Sequence, residues 1–312
     1  MVPTYYGFFP FILQSNQPLY KRKIEMKKLT AFLMTLAMVA TMSAFAQDAE
    51  VAVEENNEKN AWIPGVELSA KWASRYMCDG AIVNPDPCAF LDAYAAWDCG
   101  LYLDLWAAMD LNHFNRPDHG SYSYDNNRRG RAEEIDYAIG YNYTYKKLDF
   151  SDVTFDVSWK YFRYPKAYFK HDNPLDTTIS LDNVFKNNEN LQDHSLKLAA
   201  TWRYDLKHYT NYGWLEATYK YDFNEKLTGK LSSKVFYCGQ QKAKNSYGVK
   251  HDCFSSLEVE ASLSYAITKQ LSATTFVDGG WALEKGVRDV WKDSSVSNAF
   301  NVRYGVSMAY SF

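Results

Sequence analysis

Proline is scarce in this 312-residue chain, at 9 residues, and histidine and cysteine are scarcer still, at 6 and 5. With 47 % hydrophobic residues, the composition excludes a disordered chain. Charge of one sign is also lacking: the net value is −3 and the pI is near 6.1, which argues against a general nucleic-acid binder. After the first few dozen residues no run reaches 18 apolar residues, so no helical bundle crosses a membrane. There is no glycine-rich phosphate loop, no dinucleotide fingerprint and no zinc-type cysteine spacing. Aromatic residues are plentiful, with 25 Tyr, 18 Phe and 9 Trp. Two classes survive: a soluble sheet protein, or a barrel that spans a membrane by alternation.

The amino-terminal part reads as targeting. Met26, Lys27 and Lys28 open a short basic start, residues 31–42 form an apolar core, and Ser43, Ala44, Phe45 and Ala46 supply the small residues of a cleavage site. Gln47 is the expected first mature residue, and no cysteine follows to take a lipid. Residues 1–25 precede a complete signal, so we read Met26 as the start of translation and 1–25 as an upstream extension of unclear status. Removing residues 1–46 takes five basic groups (Lys21, Arg22, Lys23, Lys27, Lys28) and one acid (Glu25) from the 34 and 37 of the whole chain. This leaves 29 against 36, net −7 over 266 residues. Residues 47–60 are polar and acidic and read as a flexible leader or plug fragment; we take 47–62 as a flexible periplasmic leader and 63–312 as the barrel.

Export places all five cysteines in an oxidising compartment. Cys78/Cys88 and Cys238/Cys253 each flank a loop between strand-like runs, and each pair is placed to close a hairpin mouth as a disulfide; the alternative is a set of free, buried small residues. Cys99 is the odd one, and other combinations among Cys78, Cys88 and Cys99 stay open.

From residue 65 onward, alternation of period two dominates, the signature of strands. At the end of the chain Phe300, Val302, Tyr304, Val306, Met308, Tyr310 and Phe312 alternate with Asn301, Arg303, Gly305, Ser307, Ala309 and Ser311. Similar runs cover about 65–77, 89–98, 101–112, 133–146, 152–163, 194–204, 212–223, 227–238, 254–267 and 270–283. Residues 176–185 are a weaker run with Ile179 and Leu181. Counting it, with Asn187, Asn188 and Glu189 as a short turn, gives twelve strands, with ten and fourteen as the neighbouring even counts. It also makes short connections (Asp149; 224–226; 268–270) alternate with long polar ones (113–132, 164–176, 239–252, 284–298). An even count places both termini on one side of a membrane.

Strands of about 11–14 residues suit a tilted bilayer crossing of roughly 9–11 residues. Sandwich strands are typically shorter, roughly 5–6 residues. Tyr76, Trp97, Tyr143, Tyr145, Trp159, Tyr161, Tyr219, Tyr221, Tyr304 and Tyr310 crowd the strand ends, where amphipathic rings suit the membrane interfaces. We therefore expect an all-β, antiparallel transmembrane β-barrel.

The signal, alternation, parity and terminal Phe312 resemble bacterial outer-membrane proteins. The run from Tyr304 to Phe312 looks like the signal read by their barrel-assembly machinery, which implies that machinery and the lipid bilayer as partners. More narrowly, Ser74, Arg75 and Tyr76 followed by Gly80 resemble the first strand of a family of exported barrels that has no assigned activity. Met109, Asp110, Leu111 and Asn112, and then Glu133, Glu134, Ile135, Asp136 and Tyr137, match its later landmarks. Met77, Cys78 and Asp79 depart from it, standing where a Trp-Arg pair is usual. The resemblance implies a fold over about 65–312 and no chemistry.

If apolar positions face lipid, the opposite set faces the lumen. Its acids are Glu67, Asp92, Asp104, Asp110, Glu134, Asp136, Asp156, Glu216, Glu258, Glu260, Asp278 and Glu284. Its bases are Lys71, Arg75, Lys146, Lys160, Lys197, Arg203, Lys220, Lys230, Lys234 and Arg303. Two readings follow: a cross-barrel charge network that plugs the interior, or a narrow, mildly cation-preferring or zwitterionic pore for small polar solutes. Lys197, Arg203, Lys230 and Lys234 cluster on neighbouring strands, as do Asp104, Asp110, Glu134 and Asp136, which suggests a transverse field. No catalytic constellation stands out. His194 and Ser195 are adjacent, so their side chains leave opposite faces of a strand. Asp118 with His119, and His251 with Asp252, read as solvated loop residues before metal ligands. Gly279 and Gly280 read as close packing or curvature. We expect no enzyme, no cofactor and no metal centre. A non-conducting structural or adhesive surface barrel is the alternative, and a membrane-embedded hydrolase a more distant one.

Overall fold

The computed structural model describes residues 63–111, 132–146, 148, 150–165, 171–294 and 296–312. The expectations for the signal, the leader, Asp149 and most of the 113–132 connection lie outside the described residues.

The elements in chain order are β1 (Gly65–Ala73), β2 (Tyr76–Cys78), β3 (Ala81–Asn84), β4 (Cys88–Ala96), β5 (Leu101–Asp110), β6 (Ala132–Tyr145), β7 (Asp152–Arg163), β8 (His171–Asp172), β9 (Pro174–Asp182), β10 (His194–Asp205), β11 (Thr210–Asn224) and β12 (Leu227–Cys238). Helix α1 (Gln240–Tyr247), β13 (Cys253–Ala266), β14 (Leu271–Ala282), helix α2 (Lys285–Asp293) and β15 (Phe300–Ser311) follow. Twelve of these strands form one antiparallel sheet in the order β1, β4, β5, β6, β7, β9, β10, β11, β12, β13, β14, β15, and β15 pairs back onto β1. Closure removes every edge, so each strand's backbone groups find partners without water. The weak run is strand β9, paired with β7 and β10 over Pro174–Asp182.

The outside of this barrel inverts a soluble protein. Ile139, Val157, Ile179, Leu198, Leu215, Leu231, Leu263 and Val277 are all exposed, and form a mid-height apolar band. Tyr141, Tyr143, Tyr145, Phe223, Tyr265 and Phe312 ring one end of it; Trp202, Tyr204, Trp281, Phe300 and Tyr304 ring the other. Exposed apolar surface on this scale is paid for only in lipid, and the two aromatic girdles mark its interfaces.

The end where β1 begins and β15 finishes has mostly tight connections, such as 225–226 and 267–270, although 183–193 is longer and holds a single 3-10 turn at Glu189–Leu191. The opposite end carries β2 and β3, both helices and the longer loops. Short turns face the periplasm in such barrels and long loops face outward.

Three expectations need correction. The first strand does not run to residue 77: it leaves the wall after Ala73, and Tyr76 to Asn84 form a separate two-stranded hairpin. Its turn is Asp79-Gly80, both at positive φ (52° and 82°), the geometry of a type I′ turn. Next, the long loops are not simply polar. In α2, Val287 and Trp291 stand one helical turn apart and bury against Ala282, with Ala81 and Tyr247 packed beside them. In α1 the Asp252 carboxylate accepts from the Gln240 N–H at 2.6 Å, and Gly248 closes the other end at φ 69°. Finally, the five cysteines are free. Cys88 is buried among Ala73, Tyr76, Phe90 and Ala108, while Cys78 is exposed near the hairpin tip. Cys238 and Cys253 stand opposite in register and pack as thiols beside Tyr212, Phe236, Ala243 and Val249.

Candidate functional site: the barrel lumen

Period two sends every second side chain inward, and the register stacks these into rows. One row runs Ser69, Asp92, Trp106, Asp136, Phe162 across β1, β4, β5, β6 and β7. The next runs Glu67, Tyr94, Asp104, Ala138, Lys160. All but three of the expected lumen charges take inward positions on the strands. Glu284 precedes α2, Arg75 lies beyond the end of β1 and Lys146 beyond the end of β6, so these three leave the wall rows. The structure adds Asp176 and Asp182 on β9 and Asp222 on β11, which the weak patterning of 176–185 and the focus on apolar positions hid.

Most of the lumen cations are paired, whereas Lys71 lies over the Phe276 ring at 4.0 Å. Arg203 makes a two-pronged contact with Asp176, Nε to Oδ1 at 2.6 Å and a terminal nitrogen to Oδ2 at 2.7 Å, and Lys160 reaches the same carboxylate at 3.0 Å. The guanidinium is flanked by the rings of Phe162, Tyr212 and Trp214 at 5.1, 5.5 and 5.2 Å. Arg303 is joined to Asp278, which is 1 % exposed. Lys230 meets Glu260 at 2.7 Å, Lys234 meets Glu216 at 3.4 Å and Lys197 meets Asp182 at 3.3 Å. The anions on β4, β5 and β6 are different. One carboxylate oxygen each of Asp92, Asp104 and Asp136 is buried without a hydrogen-bond partner, and among the described residues no lysine or arginine pairs with them. The expected transverse asymmetry is therefore present in altered form: the basic side is neutralised by acids, and the acidic side is not.

The hairpin crosses this lumen near the loop-rich end. Tyr76 packs on Phe90 and Trp106 and donates to the Glu134 carboxylate. Burial and that carboxylate hold its phenol well above the ordinary value, so it stays a donor. The Met77 carbonyl accepts from Arg303 at 3.1 Å. At the far wall the Tyr212 hydroxyl donates to the Asp79 carboxylate at 3.0 Å. Gly80 N–H donates to Glu258 at 3.1 Å, and its carbonyl accepts from Asn301 at 2.9 Å. Gly280 is glycine because a Cβ there would lie 2.3 Å from the Gly80 oxygen. The close packing expected at Gly279 and Gly280 thus falls on Gly280. Nothing in the strand pattern places Tyr212 or Asn301 against a hairpin, but the Asp-Gly pair itself was a readable turn signal.

At the rim, Asp172, Asp205 and His208 bring three metal-type donor atoms within 4.8 Å of one another. Asp205 already accepts from the backbone N–H groups of Lys207 and His208, at 2.9 and 3.1 Å, and from the His208 ring, so it serves the β10–β11 turn. Asp252 of the His251–Asp252 pair caps α1, as above. Ser195 donates to Asn183, whereas the His194 ring meets Tyr219 and Tyr221.

A closed twelve-strand sheet with a lipid-facing shell and a charged interior defines a transmembrane β-barrel of the bacterial outer membrane. The fold is similar to that of an outer-membrane channel from Pseudomonas putida F1, at a TM-score of 0.50 and 7 % identity, covering 80 % of this chain and 96 % of that one. The NanC porin (TM-score 0.47, 12 % identity, 79 % and 100 % covered) and the KdgM porin (0.46, 13 %, 79 % and 99 %) are also similar. At these identities the likeness is one of fold. No family model and no curated protein matches the chain.

Proposed function

We propose that this barrel is a narrow channel for small polar solutes with a mild preference for cations. The observation that carries the reading is the acid cluster of Asp92, Asp104 and Asp136, which among the described residues has no lysine or arginine ion-pair partner, in a lumen where Lys160, Lys197, Lys230 and Lys234 are paired. Water reaches that lumen: the side chains of Lys197, Lys234 and Lys230 keep 47 %, 38 % and 35 % of their exposure. A surplus of one sign of charge along a lumen wall concentrates counter-ions and favours their passage. The alternating run from Tyr304 to Phe312 favours recognition by barrel-assembly machinery, and the Ser74-Arg75-Tyr76 and Gly80 pattern favours kinship with the exported barrels that share it.

The test is the reversal potential of the refolded chain in a planar bilayer under a salt gradient. A cation-selective potential is expected, and it should move toward neutrality when Asp92, Asp104 and Asp136 are all changed to Asn. Silence across voltages and salts would sink the reading in favour of a structural or adhesive barrel.

A further inference from the structure

The hairpin is the one element of the described chain that leaves the wall and crosses the interior. It starts between β1 and β4, and its tip is bonded to β11, which lies on the far side of the strand order. On one flank it is sealed. Gly80 sits backbone to backbone on Gly280, Asn301 and Glu258 bond its tip, and Trp291 of α2 covers it from outside, its ring 3.2 Å from where a Gly80 Cβ would lie. Ile82 adds an N–H bond to the Ser297 hydroxyl at 3.2 Å, so the seal extends onto the loop before β15. Cys78, beside the turn, is exposed. Among the described residues, Lys160, Asp176 and Arg203 on β7, β9 and β10 bond to one another.

We propose that this hairpin is the selectivity constriction of the channel. It narrows the lumen near its outer mouth, and solutes pass only beside it. The inference rests on the channel reading and deepens it by naming the element that sets the size limit. Three features separate such a strap from a mobile loop. A two-residue type I′ turn matches the twist of the strands it joins, so the hairpin keeps a defined shape. Its anchors include charge-assisted bonds from both ends of the crossing, Arg303 to Met77 and Tyr212 to Asp79, which are the stronger kind. The Gly80–Gly280 contact leaves no room for even a methyl group, so the seat is specific to this pair.

The experiment compares three full-length chains: wild type, a variant in which residues 77–83 are replaced by Gly-Gly, and Gly280→Leu. The replacement joins Tyr76 to Asn84, which are already cross-strand neighbours. Gly280→Leu keeps the whole chain and drives a side chain into the Gly80 backbone. Assembly of each is verified by heat-modifiable gel migration. Unitary conductance in planar bilayers and sugar permeation into liposomes are then read. A several-fold rise in conductance and a larger size limit in both assembled variants are expected. A silent wild type with conducting variants would uphold the hairpin as the barrier and overturn the open-channel reading. Equal conductance and size limit in all three would overturn the hairpin's role and leave the channel intact. Silence in all assembled chains would overturn both. If the shortened chain does not assemble, the same outcomes are read from Gly280→Leu alone.

Discussion

Arg303 and Lys230 both point inward and both meet a carboxylate, yet their surroundings differ. Asp278 is sealed beneath Arg303 and the hairpin, whereas the Lys230–Glu260 pair stands in lumen water. Removing one partner of a buried pair strands the other charge, at about 3–5 kcal/mol. A solvated pair contributes about 0–1 kcal/mol. Arg303→Met should therefore lower unfolding stability in detergent by about 3–5 kcal/mol, and Asp278→Asn in the same chain should restore part of it. Lys230→Met should fall within about 1 kcal/mol of wild type. Denaturant titration followed by tryptophan fluorescence checks all three. Loss of the Met77 bond adds a second consequence, because Arg303 also holds the near end of the hairpin. The inward position of Arg303 was legible from alternation. Its double duty was not, because Met77 is 226 residues away in sequence.

At the level of elements, β9 is the informative case. Its sequence is rich in Asp, Thr and Ser, and only Leu175, Ile179 and Leu181 mark its lipid face. Pairing on both sides compensates: Thr178 exchanges a hydroxyl bond with Thr201 at 2.8 Å, and Asp176 anchors Arg203. A short strand with a sparse apolar face is sensitive to charge on that face. Ile179→Arg should cost about 2–4 kcal/mol, as for a cation near the bilayer midplane. Thr178→Ala, one residue away but inward, should cost about 1 kcal/mol through its lost hydrogen bond. Equal costs in lipid-vesicle unfolding would mean that the two faces are reversed. The helices α1 and α2 were not legible. Each is under ten residues, and the apolar spacing of α2 rests on Val287 and Trp291 alone, too little to stand out within a polar loop.

For the whole molecule, closure and orientation go together. The exposed apolar band and its aromatic girdles require lipid or detergent, and the polar interior requires that the sheet be closed around water. The refolded chain should migrate as a compact species on unheated gels, shift on boiling, and give a β-rich far-ultraviolet spectrum only in detergent or lipid. A mature chain that stays dispersed in plain buffer would invert inside and outside, and the proposed channel would go with them.

The strands, their faces and the even count were determined by the sequence alone. Period-two alternation is a local property that the bilayer reads directly, so most strand ends agree within two residues with the pattern. The direction of the hairpin, the partners of Asp79 and Gly80, and the pairing of cations with acids were decided only by the tertiary structure. An Asp-Gly turn has the same local geometry whether it folds outward or across the lumen. What sends it inward is an opposite wall that happens to present Tyr212, Asn301, Arg303 and a bare glycine, and these meet it only once the barrel has closed.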